Sequence, residues 1–223
     1  GNGNGIALTS EGASTLATIS LPTGGDLTLS KYDTAATYSA TALLTVPDVL
    51  TINTGATLAM SSNNLDVNGD ITIIGALTAS ANAITVAGTW TNSGTFTHGS
   101  NTVTFDGTAD SKTITTGANG AFYNVSFTGN GGEWTLEDSG ASDMTVEGAF
   151  VVTSGKFVSG ANTVNIEGAN ATYKSTDITI ANTTWSTGSV LNITSDTNQT
   201  LPSGETYYDI TLSRDAGVGT TTY

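Results

Sequence analysis

A fourteen-residue pattern recurs along this chain at a near-fixed step. It reads ATLAMSSNNLDVNG at 56–69, GALTASANAITVAG at 75–88, GTFTHGSNTVTFDG at 94–107 and GKFVSGANTVNIEG at 155–168. The first three copies lie nineteen residues apart, and the fourth sixty-one further on, close to three such steps. Few architectures tolerate this. A unit of about twenty residues cannot bury an apolar face alone, so it must stack on its neighbours, as coils of a solenoid do.

Apolar residues form columns through the copies. Leu58, Leu77, Phe96 and Phe157 make the first. Leu65, Ile84, Val103 and Val164 make the second, and Val67, Val86, Phe105 and Ile166 the third, two residues later. A spacing of two places the second and third columns on one face of a strand and turns Asp66, Thr85, Thr104 and Asn165 to the other. After each closing glycine a further strand begins: Ile71, Trp90 and Phe150 stand two residues past Gly69, Gly88 and Gly148. These regularities predict an all-β parallel β-solenoid, expected right-handed, with about 19–20 residues and three short strands per coil and about eight to eleven coils. A sandwich gives side chains no reason to repeat at nineteen residues. The column Asn63, Asn82, Asn101 and Asn162 falls at a corner, where Asn accepts left-handed backbone and stacked amides can bond along the column.

Residues 46–223 are expected to form the solenoid repeats. Residues 1–45 fit the period less well. Here ATISL (17–21) and DLTLS (26–30) read as strands about a turn at Pro22 and Gly24–Gly25. This segment is expected to be a cap, irregular first coils or a strand donated to a neighbour. A longer echo relates Lys112–Phe127 to Gln199–Leu212 and, more weakly, 129–142 to 1–14, as if the chain lay within a larger module. The start GNGNG, without Met, fits a trimmed product or a window of a longer protein. Thr, Val and Gly dominate and no 3.6-residue apolar period is visible, so helix is expected to be minimal.

Composition narrows the function classes. Charged residues are 11% and hydrophobic residues 37%, a balance that approaches disorder were the apolar positions not so regularly spaced. Five basic residues against nineteen acidic ones give a net charge of −14. A nucleic-acid partner needs Lys and Arg to displace counterions, and an anionic membrane surface needs the same cations, so neither fits. No stretch is long and apolar enough to insert into a bilayer as a helix. Without cysteine there is neither a disulfide framework nor thiolate chemistry.

VPDVLTINTGATL (46–58), FYNVSFTGNGGEWTL (122–136) and MTVEGAFVVTSGKFVSGANTVNIEG (144–168) resemble repeats of bacterial and archaeal cell-surface β-helix proteins, adhesin-like or surface-layer-associated. The resemblance covers about 46–212 and is compositional as much as motif-based. It implies export to the cell surface, a parallel β-helix and a structural or adhesive role, and it carries over no catalytic residue.

Candidate chemistry is sparse. His98 is the single histidine, so a multi-histidine metal site is excluded, and no nucleophile-elbow pattern accompanies it. Glu137 and Asp138 with Asp143, and Asp66 with Asp70, are the densest acidic groups. Paired carboxylates can hydrolyse glycosides when held at suitable separation, but solvated corners are the simpler reading. A lyase would also want clustered cations, and Lys31, Lys112, Lys156, Lys174 and Arg214 are scattered. No cofactor is expected; weak Ca²⁺ binding at Glu137, Asp138 and Asp143 is the one metal site the sequence offers, without an EF-hand loop. Trp90, Trp134 and Trp185 with Tyr207 and Tyr208 are candidates for a sugar-stacking platform, Trp90 being assigned to the core by its alignment with Ile71 and Phe150. Sequons at Asn124, Asn170, Asn182, Asn192 and Asn198 are candidate glycan acceptors. The expectation is a non-enzymatic extracellular protein whose partners are copies of itself, joined by end-to-end stacking or strand donation into a filament, sheath or lattice. The alternatives are an adhesin stalk or carbohydrate-binding module on surface polysaccharide, or a β-helix polysaccharide enzyme.

Overall fold

The computed structural model describes residues 5–17, 19–118, 121–137, 143–168, 183–195, 201–202 and 205–213, together with the backbone of 172–175. Every regular element among them is a β-strand, and every pairing between strands is parallel. The chain winds as a β-solenoid of about nine turns with three strands per turn.

The first face carries Leu50–Ile52, Ile71–Ile73, Trp90–Asn92, Lys112–Thr115, Glu133–Leu136, Lys156–Val158 and Thr183–Thr184, each paired with the next. The second carries Ala56–Ala59, Ala76–Thr78 and Thr95–Thr97. Leu44–Val46, Leu65–Val67, Ala83–Val86, Thr102–Phe105, Asn124–Phe127, Ala149–Val152 and Thr172–Ser175 build the third. A separate four-stranded sheet of Met144–Val146, Thr163–Glu167, Val190–Thr194 and Asp209–Ser213 resumes the second face higher in the stack. Short strands with period-two burial explain this layout. Leu50, Ile52, Ile71 and Ile73 point inward with no exposure, while Thr51 and Thr72 between them face out.

The described residues before 46 form two long strands and the start of a third. Ile6–Leu16 pairs along its length with Leu27–Ala40. Leu27–Ala40 in turn pairs through Leu27–Leu29 with Leu50–Ile52, and through Ala36–Ser39 with Ala56–Ala59. These two long strands therefore run round a corner and join the first and second faces. Tyr38 is buried there, and its hydroxyl donates to the Ser30 and Leu8 carbonyls at 2.6 and 3.0 Å.

The twelve column residues are all buried. The first three copies stack as the spacing predicts: Leu58, Leu77 and Phe96 on the second face, and Leu65, Ile84 and Val103 with Val67, Val86 and Phe105 on the third. The fourth copy does not continue those columns. Phe157 pairs with Trp134 on the first face, and Val164 and Ile166 pair with Met144 and Val146 on the second. Phe150 likewise pairs with Val125 on the third face, away from Ile71 and Trp90. The sixty-one residues from Phe96 to Phe157 thus cover two and two-thirds turns, because the intervening coils are longer than nineteen residues. The motif encodes two strands and the corner between them. Inward and outward positions alternate identically on every face, so any adjacent pair of faces accepts it.

The Asn column also differs from expectation. Left-handed backbone falls on Ser61 before Asn63 and on Gly99 and Ser100 before Asn101, not on the asparagines. Met60–Asn63 and His98–Asn101 each close a tight turn through the Asn N–H, at 2.8 and 3.1 Å, and the positive φ belongs to the central residues of that turn. The amides do not bond one another: Asn63 donates to the Ala40 carbonyl, and Asn162 to those of Leu136 and Ser159. A different set of side chains ties one coil to the next. Oδ1 of Asp26, Asn64, Asp70, Asn124 and Asp143 accepts the backbone N–H of Val49, Ala83, Thr89, Ala149 and Thr163 respectively, at 2.7–3.2 Å. At corners the strand ladder lapses, and these oxygens satisfy donors that would otherwise be orphaned.

Candidate functional site

The second face is interrupted. Thr95–Thr97 pairs with Ala76–Thr78 below it, but among the described residues the coil above contributes only a single bridge between Phe122 and Val146. Ladder bonds to the lower strand use the Thr95 N–H and the Thr97 carbonyl, so the Phe96 peptide groups point to the interrupted coil. The interruption opens a groove of about 520 Å³. Its floor is Gly117, Ala118 and Ala121 beside Phe96, and its walls carry Thr97 and His98 below and Asp143, Thr145, Glu147 and Glu167 above.

His98 lies at the end of the lower strand, held by the tight turn that closes on Asn101. Its Nδ1 accepts the Ser100 N–H at 3.3 Å, which assigns the ring proton to Nε2. Nε2 is 3.4 Å from the Glu147 Oε2, and the ring stacks on Tyr123 with centroids 5.8 Å apart and planes 26° from parallel. Glu147 is held from the coil above, its N–H donating to the Phe122 carbonyl. Thus the interruption gathers the single histidine, a tyrosine and three carboxylates from four successive coils. Spacing along the sequence does not reveal this, since His98 and Glu147 are brought together only by two turns of winding.

The core beneath the groove is unusual too. Trp90, Phe96, Phe105 and Phe122 pack with centroids 5.0–6.4 Å apart. Trp90 Nε1 and both amide atoms of Asn101 are buried with no hydrogen-bond partner. Both polar groups lie within one coil of the break.

Other sequence candidates disperse. Asp66 accepts from the Thr85 hydroxyl at 2.7 Å, and Asp70 and Asp143 accept corner N–H groups as described. Glu137 is exposed, and Asp138 lies outside the described residues. Among the described residues no three His, Cys, Asp or Glu side chains are placed to hold one metal ion. Burial and, more weakly, the Asp66 carboxylate push the Asp106 carboxyl above its ordinary range. The tryptophans form no surface platform: Trp134 is fully buried with its indole N–H donating to the Gly88 carbonyl at 3.0 Å, and Trp90 and Trp185 are also buried. Tyr207 packs beside Trp185, while Tyr208 is exposed. The Asn124 and Asn192 amide nitrogens donate to Thr102 Oγ1 and Asn165 Oδ1, bonds that a glycan at either nitrogen would have to displace. Asn170, Asn182 and Asn198 lie outside the described residues.

The second feature able to engage a partner is the pair of outermost strands. Among the described residues Ile6–Leu16 pairs only with Leu27–Ala40, and Asp209–Ser213 only with Val190–Thr194. Ile6 and Leu8 at one end, and Ile210 and Leu212 at the other, are partly buried against the core. Comparisons with protein families, curated proteins and solved structures find no match to this chain.

Proposed function

We propose that the protein is a non-enzymatic structural element of a cell surface whose copies stack end to end into a filament or lattice. The observation that carries this reading is the edge strand Ile6–Leu16. It is eleven residues long and parallel to its neighbour, with Ile6, Leu8 and Leu16 packed on the core side. An edge of that length is a template for another strand, and unprotected edges drive association. Asp209–Ser213 offers a second parallel edge at the opposite pole. Joining one to the other continues the same stack, covering the half-buried Ile6, Leu8, Ile210 and Leu212. Export and a surface location are part of the proposal and rest on the resemblance of the repeats.

Electron microscopy of the purified chain tests it, with rods many times the length of one molecule expected. Ile6 donates to the Asp26 carbonyl, so in the alternation of a parallel ladder the Thr9 N–H points away from the stack. Thr9→Pro therefore removes an outward donor while leaving the internal ladder intact. It should yield single short particles with an unchanged circular-dichroism spectrum. Monomeric particles from the parent chain at high concentration would overturn the reading.

A further inference from the structure

We propose that the groove at the interruption of the second face binds an uncharged or amino-substituted oligosaccharide. This does not rest on end-to-end stacking, since the groove lies on the side of the solenoid.

Three observations select the ligand class. The groove encloses about 520 Å³, within the range of small-ligand sites and far larger than a metal ion or a single inserted side chain requires. Its floor of glycine and alanine against the edge of Phe96 is small and apolar, whereas its walls carry carboxylates, threonine hydroxyls and an imidazole. A pyranose has matching halves: an apolar C–H face, and a rim of hydroxyls that donate to carboxylates and exchange bonds with hydroxyl groups. Charge supplies the third. Among the described residues Asp143, Glu147 and Glu167 line the site opposite one imidazole, and no lysine or arginine lines it. An anionic glycan is repelled, while an amino group on the sugar is welcomed.

The residues divide the work. Glu147 is fixed by His98 through Oε2, which leaves its carboxylate oriented and able to accept from a sugar hydroxyl. Asp143 has Oδ1 occupied by the Thr163 N–H, so its second oxygen is the one available to a ligand. Thr97 and Thr145 lie on either side of the interruption, each on the outward side of its strand. His98, pinned at Nδ1 by Ser100 and stacked on Tyr123, positions Glu147 and closes the lower end.

The test uses the full chain against an array of neutral and amino oligosaccharides, including hexamers of β-1,4-linked glucose, N-acetylglucosamine and glucosamine, followed by calorimetric titration. Polygalacturonate and oligolysine serve as the anionic and peptide arms. Binding of at least one neutral or amino glycan is expected. Loss of a charge-assisted hydrogen bond should weaken it about tenfold or more in Glu147→Gln. Ala121→Trp, which fills the floor, should abolish it. Both positions are solvent-accessible, so melting curves matching the parent chain show that loss of binding is not loss of fold. No glycan bound anywhere on the array would overturn the proposal. So would glycan binding that survives both substitutions, or oligolysine binding that depends on Glu147 while the sugars fail.

Discussion

Two stretches of the solenoid differ in how they fill their interior. Between Leu44 and Phe105, paired positions are nineteen to twenty-one residues apart, and between Leu44 and Trp90 the core is leucine, isoleucine, valine and alanine with Met60. From Phe105 to Phe157 the steps lengthen to twenty-two to twenty-five. Here the interior is a continuous chain of rings: Phe105, Phe127, Phe150 and Phe157 with Trp134, centroids 5.0–5.8 Å apart along it. Protein interiors are close-packed, so larger side chains inside mean a larger cross-section to fill. The regular coils gain flush faces and in-register ladders. The longer coils lose one strand of the second face, and the groove lies where the two regimes meet.

The largest effect separates a framework that both stretches share from one that only the regular coils need. Val103 is fully buried where the two join. Val103→Asp places an unpaired charge in the stack and should abolish the β-sheet circular-dichroism signal, a cost above about 4 kcal/mol. A spectrum and melting curve unaltered by it would sink the column assignment. Truncation should next distinguish the two interiors. Trp134→Ala removes a buried ring and strands the Gly88 carbonyl, costing about 3–5 kcal/mol, against about 0.5–1.5 kcal/mol for Ile84→Val in the aliphatic coils. Equal shifts in urea midpoint would mean the aromatic chain is not tightly packed.

Corners provide a finer contrast. In the regular coils Gly94 sits against the Gly75 carbonyl oxygen, and a methyl group there would collide with backbone that cannot move aside. Gly131, in a longer coil, has room for a methyl group at ordinary contact, 3.5 Å from the Thr108 carbonyl oxygen, but a φ of +88°, so alanine there is strained without a collision. Gly94→Ala should cost roughly 1–3 kcal/mol through overpacking. Gly131→Ala should cost about 1 kcal/mol through backbone strain. Chemical denaturation of the pair orders them, and a reversed order would show the longer coil to be the less adaptable corner. The smallest effect is electrostatic. Burial and the neighbouring Asp66 raise the Asp106 carboxyl in the folded state, so the folded chain holds this proton more tightly than the unfolded chain. Its contribution to stability is present at acid pH and lost as pH rises through the raised value. Asp106→Asn should therefore stabilise the protein at pH 7 by a few tenths of a kcal/mol, the carboxyl being only partly withdrawn from water, with no gain at about pH 3. Urea midpoints at the two pH values read the difference.

Much of the fold is visible in the residues. Period-two alternation in LTI, ITI and ITV marks inward and outward positions, and the nineteen-residue step places Leu65 on Ile84 on Val103. Other assignments go astray for identifiable reasons. Phe157, Val164 and Ile166 carry the right pattern and are buried, yet stand on other faces, because a two-strand motif reports a corner and not its place on the circumference. The Asn63 and Asn162 amides bond carbonyls of the coil below instead of a stacked amide, and the Asn101 amide has no partner. Asn64 and Asp70, which do tie coils together, sit in positions the repeat leaves variable. His98 reads as an isolated surface residue, and its pairing with Glu147 and stacking on Tyr123 had no local signal.

By itself, then, the sequence determined that this chain must be a stack of parallel coils, because alternation and a fixed step leave its apolar columns no other means of burial. Where a coil lengthens, the same alternation is compatible with several windings, and the choice falls to whichever packs the aromatic rings. Only the tertiary structure decided that the second face breaks above Phe96, and that His98, Asp143, Glu147 and Glu167 meet across the break. Those contacts depend on the accumulated rotation of several coils, a quantity set by packing and not carried by any single repeat.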